Sequence, residues 1–557
     1  MAFSSSSKPA SFNQKLFIVS LFFLSFSLFI IVFSFKPQQP HLLDPLTVRT
    51  EPLPIVNKPK WLELIQQQVA GQRLKAGLVN LDNNRHEVHG TSVEAVHVHF
   101  DRVAEDKTWS DFFPEWIDED HKWHAPSCPE IPLPRLEEYG DLDLIVARVP
   151  CGGGGGEKEG IRDVFRLQVN LVVANLAVES GRVKPGSDRT VYVVFVGSCG
   201  PMIEIFRCDD MVMHVEDYWV YKPELRRLKH KVIMPVGSCQ ISPGYAETAK
   251  EEWRYFQQPE LNYTADHERE AYVTVLHSSE DYVCGAIALA QSIIQSNSAR
   301  DLVLLHDKSL TDKSLKGLRA AGWKTKRISR IRSPFSRKDS YNEWNYSKLR
   351  VWQLIEYDRV IFIDADLLIL KKIDKFFYFP QLSAAGNDRS LFNSGIMVIE
   401  PSLCMFEKLM LKSFKVASYN GGDQGFLNEI FTWWHRLPSK INYLKVFKLE
   451  KHGNDEHQIP ENLYTIHYLG LKPWLCYKDY DCNWDKVDHH IFASDSAHKK
   501  WWEVYDAMPR KLQKFCALTK HGNWRIKKWR GIARNISLVD GHWKIRVRDP
   551  RQYHLVE

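Results

Sequence analysis

The sequence predicts an α/β protein in which a mainly parallel sheet carries helices on both faces. Short apolar runs alternate with helix-like segments between residues 270 and 365, a pattern typical of strand–helix–strand units. A less regular alternation between 141 and 245 predicts a second, smaller α/β region. A stretch of twenty uncharged residues, 16–35, predicts in addition a helix that crosses a membrane.

The composition of the 557-residue chain fits a folded protein of two or three domains. Its 44% hydrophobic and 25% charged residues exclude a disordered or collagen-like chain. The net charge is only +6 and no long run of Lys or Arg occurs, so we expect no nucleic-acid partner.

The apolar stretch 16–35 has the features of an uncleaved signal-anchor. It is long for a signal peptide and ends without a small-residue cleavage site. Lys8 and Lys15 precede it, which predicts that the tail 1–15 stays in the cytosol. The rest of the chain would then lie in the lumen of the secretory pathway, anchored as a type II membrane protein.

The lumenal part before residue 268 divides by composition. Residues 36–135 begin with a proline-rich stretch and show no clear periodicity, so we expect a stem followed by irregular chain. Residues 136–262 are expected to form the smaller α/β region, to which the sequence assigns no role. Its predicted elements are a helix near 163–180 and the strands Leu144–Val149, Thr190–Val196 and Val232–Val236.

The ten cysteines suit an oxidising compartment. Cys476 and Cys482 are close enough in sequence to pair, and Cys199, Cys208 and Cys239 form a second group. The sequence leaves the connectivity open.

The regular alternation predicts a larger α/β domain, which we place over 268–485. Its predicted elements are the strands Ala271–Leu276, Leu302–Leu305 and Arg359–Ile363 and the helices Tyr282–Gln295 and Asp312–Ala321. In open sheets of this type, ligands bind at the carboxyl ends of the strands. The remaining 486–557 form a basic, Trp-rich extension, which is either a helix packed on the larger domain or a platform for an acidic polysaccharide.

Two carboxylates, Asp364 and Asp366, directly follow the apolar run Val360–Ile363. Placed one residue apart at a strand end, they can bind a divalent cation together, and hard oxygen ligands suit Mn²⁺ or Mg²⁺. Such a cation also binds the pyrophosphate of a nucleotide donor. Other Asp-x-Asp pairs occur without a preceding apolar strand, at Asp118/Asp120, Asp141/Asp143 and Asp479/Asp481.

Four further motifs place polar and small residues at element ends of the same region. They are Tyr346-Ser347-Lys348-Leu349, Phe392-Asn393-Ser394-Gly395, Asn420-Gly421-Gly422-Asp423-Gln424 and His467-Tyr468-Leu469-Gly470-Leu471-Lys472. The glycine turn opens a helix whose first N–H groups are free, with Asp423 and Gln424 beside them. His467 offers a third metal ligand, and Lys472 a charge for a phosphate. Taken singly, each motif also fits a turn, a helix cap or a solvated lysine.

Together and in this order, the motifs resemble glycosyltransferase family 8, the glycogenin-like enzymes, over residues 271–475. Within that family the sequence is most similar to the plant branch that transfers glucuronic acid from UDP-glucuronate to xylan. The resemblance implies a GT-A-type, Rossmann-like mixed sheet, retention of anomeric configuration, a Mn²⁺ cofactor, and a UDP-glucuronate donor with xylan or a related polysaccharide as acceptor. It also implies a Golgi membrane protein, and leaves open whether the chain forms homo- or hetero-oligomers.

The resemblance further implies a role for each motif residue. Asp364, Asp366 and His467 would bind Mn²⁺. Lys348 and Asp423 would be catalytic, with Asp423 acting as nucleophile or as orienting partner. Substrate would contact the set Asp364, Ala365, Asp366, Asn393, Ser394, Gly395, Asn420, Gly421, Gly422, Asp423, Gln424, His467, Tyr468, Leu469, Gly470, Leu471 and Lys472. The uridine would meet the set His277, Ser278 and Tyr282.

The donor sugar and the class of function stay open at the level of residues. Glycogenin has Asp in place of Asn420, and we hypothesise that Asn suits a donor with a carboxylate. Lys348, Arg350 and Arg389 are all available to pair with that carboxylate. One alternative is a transferase of the same family with another UDP-sugar or acceptor, such as glucosyl, galactosyl or glycolipid transfer. The other is a non-catalytic, membrane-tethered scaffold that binds polysaccharide.

Overall fold

The structure is a computed structural model, and the described residues belong to one compact unit, Pro59–Glu557. The residues described are 60–68, 73–81, 93–151, 162–183, 187–242, 269–388, 390–447 and 457–556. The expected cytosolic tail, the anchor 16–35 and the proline-rich stretch before residue 60 lie outside them. Within the described ranges, none of the helices combines the length and apolar character needed to span a bilayer.

The N-terminal half of the described chain contains a six-stranded sheet. The strands of this half are β1 (Leu74–Val79), β2 (Val93–His97), β3 (Leu144–Arg148), β4 (Arg182–Val183), β5 (Ser187–Asp188), β6 (Tyr192–Val196), β7 (Met211–Val215) and β8 (Tyr218–Tyr221). Strands β4 and β5 pair only with each other, in a separate two-stranded ribbon. The sheet order is β2-β1-β3-β6-β8-β7. The first four strands are parallel, and β8 and β7 add an antiparallel edge. The helices of this half are α1 (Lys60–Gln68), α2 (Trp109–Phe112), α3 (Val164–Ser180) and α4 (Leu225–Val232).

Two sequence-based predictions for this half are wrong. Leu74–Val79 and Val93–His97 do not lie in irregular chain but form β1 and β2, so the folded region begins well before residue 136. The central strand β1 is buried on both sides, and therefore lacks the polar–apolar alternation by which a strand is recognised. Val232–Val236 is not a strand, because its first residue ends the amphipathic helix α4, which Glu224 caps by accepting from two backbone N–H groups.

The catalytic half contains a seven-stranded mixed sheet and a small three-stranded sheet. Their strands are β9 (Glu270–Leu276), β10 (Asp301–His306), β11 (Lys324–Arg327), β12 (Arg359–Ile363), β13 (Leu367–Ile369), β14 (Ser383–Gly386), β15 (Phe392–Ile399), β16 (His435–Leu437), β17 (Tyr443–Leu444) and β18 (Thr465–His467). The large sheet has the order β11-β10-β9-β12-β15-β14-β16, and the small one β13-β18-β17. Strands β11, β10, β9 and β12 run parallel, and β15 runs antiparallel to β12. The three predicted strands of this domain are confirmed, with ends that differ by at most one residue.

Alternating residues of the large sheet face two separate apolar cores. Val273 of β9 and Phe362 of β12 belong to a core that also contains α3 and one face of the N-terminal sheet. Tyr272 and Ile361, their neighbours in sequence, face a second core on the opposite side. The helices of this half are α5 (Val283–Gln295), α6 (Asp312–Ala320), α7 (Leu403–Ser413), α8 (Asp423–Ile430), α9 (Asp495–Ala507), α10 (Arg510–Gln513) and α11 (Lys520–Asn535). The sheet therefore carries helices on both faces, as predicted.

The Trp-rich extension packs onto the catalytic half. Trp501 and Trp502 of α9 are buried in the second core. The Cys284–Cys516 disulfide joins α5 to the extension, and the buried Arg551 donates to the carbonyl oxygen of Trp474 at 3.1 Å. Packing, rather than ligand binding, thus accounts for these two tryptophans. Trp524 of α11, in contrast, is 58% exposed.

All ten cysteines are paired, and none is free. The pairs are Cys128–Cys239, Cys151–Cys199, Cys208–Cys404, Cys284–Cys516 and Cys476–Cys482. The proximity of Cys476 and Cys482 is confirmed as a bond, whereas the expected second group does not pair within itself. Instead, the bond between Cys208 and Cys404 links the N-terminal half to the catalytic half.

A buried ionic network also links the two halves. Glu400, which follows β15, lies 3.5 Å from the guanidinium of Arg207, and both side chains are largely buried. Lys231 of α4 donates at 3.1 Å to the carbonyl oxygen of Gln381. Burial alone would raise the pKa of Glu400, but Lys231, Arg359 and Arg207 outweigh burial and lower it to about 2. The ionised carboxylate therefore balances cations that come from both halves.

Replacing Glu400 by Gln is expected to destabilise the protein by about 3–5 kcal/mol at pH 7, because buried cations lose their counter-charge. The pKa of Glu400 is depressed on folding, so its contribution is complete above the ordinary value of 4.5 and is lost as the pH falls towards about 2. Thermal unfolding midpoints of wild type and variant should therefore converge over that range.

Glu503→Gln is the matched control, since Glu503 is half exposed and pairs only with Lys500 in the described structure. We expect little change from this surface substitution. Equal unfolding midpoints for wild type and Glu400→Gln at pH 7 would contradict the role given to Glu400.

Candidate active site

The pairing of β13 with β18 brings the three predicted metal ligands together. Asp366 immediately precedes β13, and His467 ends β18 opposite Leu367. The imidazole Nε2 of His467 lies 3.3 Å from Oδ1 of Asp366. Together with Asp364, these residues offer three ligand atoms that all lie within 4.8 Å of one another. A separation of a hundred residues in sequence thus becomes a single cluster at the end of β12.

Two side-chain amides, those of Asn393 and Asn442, determine which ring nitrogen of His467 carries the proton. The backbone N–H of Gly395 donates to Oδ1 of Asn393 at 2.8 Å, so this oxygen is an acceptor. The amide nitrogen of Asn442 donates to the same oxygen at 2.8 Å. Oδ1 of Asn442 therefore faces Nδ1 of His467, 3.0 Å away, and Nδ1 must carry a proton. In the neutral imidazole, Nε2 then carries a lone pair that points towards Asp366.

This arrangement fits a divalent cation. A lone pair and a carboxylate oxygen at 3.3 Å repel each other unless a proton or a metal ion lies between them. Two aspartates and an imidazole are a donor set that suits Mn²⁺ and related ions. Gly395 completes the fit, because a Cβ at this position would lie 2.6 Å from Cε1 of His467 and displace the ring. The small residue in the Asn-Ser-Gly motif is therefore required by the position of the third ligand.

Lys348 connects the acidic pair to Asp423. Its ammonium nitrogen lies 2.7 Å from Oδ2 of Asp423 and 3.3 Å from Oδ1 of Asp364. It also donates to the carbonyl oxygen of Ser394 at 3.1 Å, while the Ser394 hydroxyl donates to Asp423 at 2.8 Å. Burial alone would lower the pKa of Lys348, but the two carboxylates outweigh burial and raise it. Lys348 therefore stays charged and holds Asp423 in place.

The charged groups of the site carry an excess of negative charge that a cation could balance. Lys472 binds Oδ2 of Asp366 at 2.7 Å. Burial would raise the pKa of Asp366, but the ammonium group of Lys472 outweighs burial and holds it well below its ordinary value. Burial raises the pKa of Asp364 to about 6. With Asp423 and Lys348 included, three carboxylates face two ammonium groups. A divalent cation would therefore compensate the remaining negative charge.

The glycine turn positions Asp423 at the start of α8. Oδ1 of Asn420 accepts from the backbone N–H groups of Gly422 at 2.9 Å and Gly425 at 3.2 Å. Gly421 has a φ of +70°, a conformation that glycine adopts without strain. Oε1 of Gln424 accepts from the backbone N–H of Ser394 at 3.2 Å and so ties the turn to β15. The side-chain oxygen of Asn420 thus stabilises the turn itself, whereas a contact between Asn420 and a sugar stays a prediction.

The predicted uridine residues lie at the carboxyl end of β9. His277 and Ser278 share a hydrogen bond of 2.8 Å, and Arg330 donates to the Ser278 hydroxyl at 3.2 Å. The ring of Tyr282, just before α5, lies with its centroid 6.0 Å from the ammonium of Lys472. The edge of the sheet predicted to bind the nucleotide therefore adjoins the acidic cluster.

Three predicted site residues turn their side chains into the interior. Tyr468 is buried and donates through its hydroxyl to the carbonyl oxygen of Ala497 at 2.8 Å. Ala365 packs in the second core, and Leu471 packs against the cluster around Cys476. The side chains of Tyr468 and Ala365 are therefore not available to a ligand, and that of Leu471 is only partly exposed. Leu469 and Gly470 continue the same loop, in which Gly470 has a φ of +74°.

Sequence reasoning missed Asn442, Asn483 and Tyr341. Asn442 fixes the tautomer of His467, and Asn483 accepts from the backbone N–H of Leu471 at 2.8 Å and so shapes the loop before Lys472. Tyr341 presents a mostly exposed ring, and its hydroxyl lies near the carboxylates of Asp366 and Asp364. None of the three lies in a recognisable motif, and their roles depend on neighbours that are distant in sequence.

Comparison with known proteins identifies both halves of the chain. The family model "GUX1-5 N-terminal domain" matches residues 54–239, and the model "Glycosyl transferase family 8" matches 273–382 and 379–477. The chain is 56% identical to the putative UDP-glucuronate:xylan alpha-glucuronosyltransferase 4 of Arabidopsis thaliana, over 99% of each chain. It is 50% identical to UDP-glucuronate:xylan alpha-glucuronosyltransferase 2 of the same plant, over 89% of this chain and 83% of that one.

Human glycogenin-1 is a more distant relative, 29% identical over 42% of this chain and 71% of its own length. The mixed sheet, the acidic cluster and the family matches define a glycosyltransferase with a GT-A-like fold. The chain belongs to glycosyltransferase family 8, in the branch formed by the plant relatives. The resemblance predicted from the motifs is confirmed.

Replacing Asp366 by Asn is expected to weaken Mn²⁺ binding by more than about 100-fold, since even outer-shell substitutions cost about 10–100-fold. Mn²⁺ binding to the full chain can be followed by the electron paramagnetic resonance of the free ion. Asp141→Asn is the matched control, because Asp141 belongs to another Asp-x-Asp pair and is exposed beside Lys75. Equal Mn²⁺ affinity in Asp366→Asn and Asp141→Asn would exclude the proposed metal site.

Replacing Asn442 by Leu is expected to weaken Mn²⁺ binding by about tenfold without unfolding the protein, because the imidazole loses the acceptor that fixes its tautomer. The same resonance titration measures the effect, and the thermal midpoint reports on the fold. Asn175→Leu, in the middle of α3 and far from the acidic cluster in sequence, serves as control. An Asn442→Leu variant with unchanged affinity would show that the amide chain does not position His467.

Proposed function

We propose that the chain transfers glucuronic acid from UDP-glucuronate to xylan with retention of configuration, using Mn²⁺. The observation that carries the proposal is the cluster of Asp364, Asp366 and His467, in which Asp366 and His467 are buried and Asp364 is partly exposed, with Lys348 bridging to Asp423. A scaffold protein has no physical reason to keep this costly arrangement of buried charges. The donor and acceptor are supported by relatives that carry this activity in their names and match almost the whole chain.

The chemistry of the site suits departure of a nucleoside diphosphate. A bound divalent cation would offset the charge that develops on the leaving UDP. The ammonium of Lys472 lies next to Asp366 and supplies a further positive charge at this position. Asp423 is held by Lys348 and the Ser394 hydroxyl. From there it acts either as nucleophile on the sugar or as the group that orients the incoming hydroxyl.

Recognition of the glucuronate carboxylate requires a cation, and two of the three predicted cations, Lys348 and Arg350, lie among the described residues. Lys348 already pairs with two aspartates. Arg350 donates to Gln353 at 2.9 Å and to the carbonyl oxygen of Ser329 at 3.1 Å, so its guanidinium is engaged outside the cluster. Arg389 lies outside the described residues. Both described cations are thus already engaged by protein groups, and the preference for glucuronate rests on the relatives.

The same proposal includes a place in the Golgi membrane. The apolar stretch 16–35 would anchor the chain with its catalytic half in the lumen. Five disulfides support an oxidising compartment. Assembly with further copies or other chains stays a prediction.

The proposed activity can be tested with the full chain in detergent. The protein is incubated with Mn²⁺, a panel of UDP-sugars, and xylo-oligosaccharide or glycolipid acceptors, and the products are weighed by mass spectrometry. We expect a hexuronic acid to be added to xylo-oligosaccharides from UDP-glucuronate alone, and EDTA to abolish the product. Transfer of another sugar, or to glycolipid, would reassign the donor or acceptor. Binding of xylan without any transfer would favour the scaffold.

A further inference from the structure

Two exposed tryptophans lie side by side on the N-terminal half. Trp116 is 62% exposed and Trp123 is 73% exposed, although tryptophan is usually well buried. Their ring centroids are 5.6 Å apart, and the ring planes are inclined by 61°. The two indoles therefore form one aromatic surface in contact with solvent. We call Trp116 and Trp123 the indole pair.

The loop that carries the indole pair is held rigidly. The carboxylate of Asp118 is 3% exposed and accepts from the backbone N–H groups of Trp123 at 2.7 Å and His124 at 3.3 Å. Ile117 directly follows Trp116 in the sequence, and its side chain is buried. The indoles are thus presented in a fixed arrangement, so that a ligand pays little ordering entropy on binding them.

The same loop is attached to the segment that supports the metal ligands. Glu119 accepts from the backbone N–H and the hydroxyl of Ser439, both at 2.8 Å. Lys440 binds Asp120 at 2.8 Å. Ser439 is followed three residues later by Asn442, which holds His467. Three residues span at most about 11 Å, so the anchor of the loop lies close to the reacting centre.

We propose that the indole pair binds the acceptor polysaccharide at a subsite beyond the sugar that is modified. Pyranose rings present apolar C–H faces that stack on indole, and an aromatic surface with polar edges suits such an amphipathic ligand. This inference rests on the proposed function. It adds a binding site within the N-terminal half, which otherwise has no assigned role in the reaction.

The charges around the indole pair favour a neutral chain over an acidic one. The loop carries Glu115 and the run Asp118–Asp120, against a single Lys122. Glu119 accepts hydrogen bonds from Ser439, Asp120 is paired with Lys440, and Glu115 remains exposed. Unsubstituted xylan is uncharged and meets no repulsion here. The inclination of 61° also requires successive sugar faces to be turned relative to each other, which a twisted chain provides and a flat ribbon does not.

Replacing both tryptophans by Ala in the full chain tests the proposal. We expect KM for long xylo-oligosaccharides to rise about tenfold, while kcat, KM for UDP-glucuronate and KM for the shortest acceptor stay unchanged. Only long acceptors reach from the reacting centre to the indole pair. The double Phe variant, which keeps an aromatic face at each position, should recover most of the affinity. An equal loss for acceptors of every length, or no loss, would overturn the proposal.

Trp524→Ala is the matched control, since Trp524 is 58% exposed on the basic helix α11. We expect it to leave KM for long acceptors unchanged. Loss of long-acceptor affinity in Trp524→Ala, with none in the double Ala variant, would place the acceptor on α11 and overturn the proposal.

Xylan binding can be measured without a donor, as retardation of the protein in native gels that contain xylan. This measurement therefore tests the indole pair independently of the proposed function. Wild type should be retarded by neutral xylan, and the double Ala variant should not. If wild type shows this difference but transfers no glucuronic acid, the indole pair is a polysaccharide site and the proposed activity fails. If wild type transfers the sugar and both proteins migrate alike, the activity stands and the indole pair fails.

Discussion

The catalytic half is organised around a buried imbalance of charge. Three carboxylates and two ammonium groups lie together in a space that is largely closed to water, with Asp364 partly exposed. Such a cluster is stable only if every group is held by partners and the residual charge is neutralised. The pairing of β13 with β18, the glycine at 395 and the amide chain through Asn442 all serve this requirement. The strands thus bring together the residues that could hold one divalent cation.

Electrostatic demands also explain how the halves of the molecule are joined. Glu400, on the catalytic side, is ionised because cations from both halves surround it. The Cys208–Cys404 bond lies in the same region of the sequence, a few residues from Arg207 and Glu400. A covalent link and an ionic network thus reinforce the same contact. The metal cluster and this contact follow one rule, since each buried charge is matched by an opposite charge nearby.

The sequence predicted the parts of the structure that are local in character. The strand Arg359–Ile363 and the carboxylates after it form a continuous pattern, and the order of the motifs revealed the family before any coordinates. Asn442 was not predictable, because its role depends on Gly395 and His467, which are distant in sequence. Strand β1 was missed since burial on both faces removes its alternation. Position within a motif did not show side-chain direction either, as the inward-facing Tyr468 illustrates.

The two halves of the chain share one apolar core, and this limits how each half can change in evolution. Residues of α3, of the N-terminal sheet and of β9, β10 and β12 form one continuous cluster. A fragment beginning at residue 269 would leave that face of the catalytic sheet open to water. The two family models therefore describe regions of sequence and not separable folding units. Shuffling of this N-terminal region onto another transferase would require matched changes across the whole contact, so the two regions are constrained to diverge together.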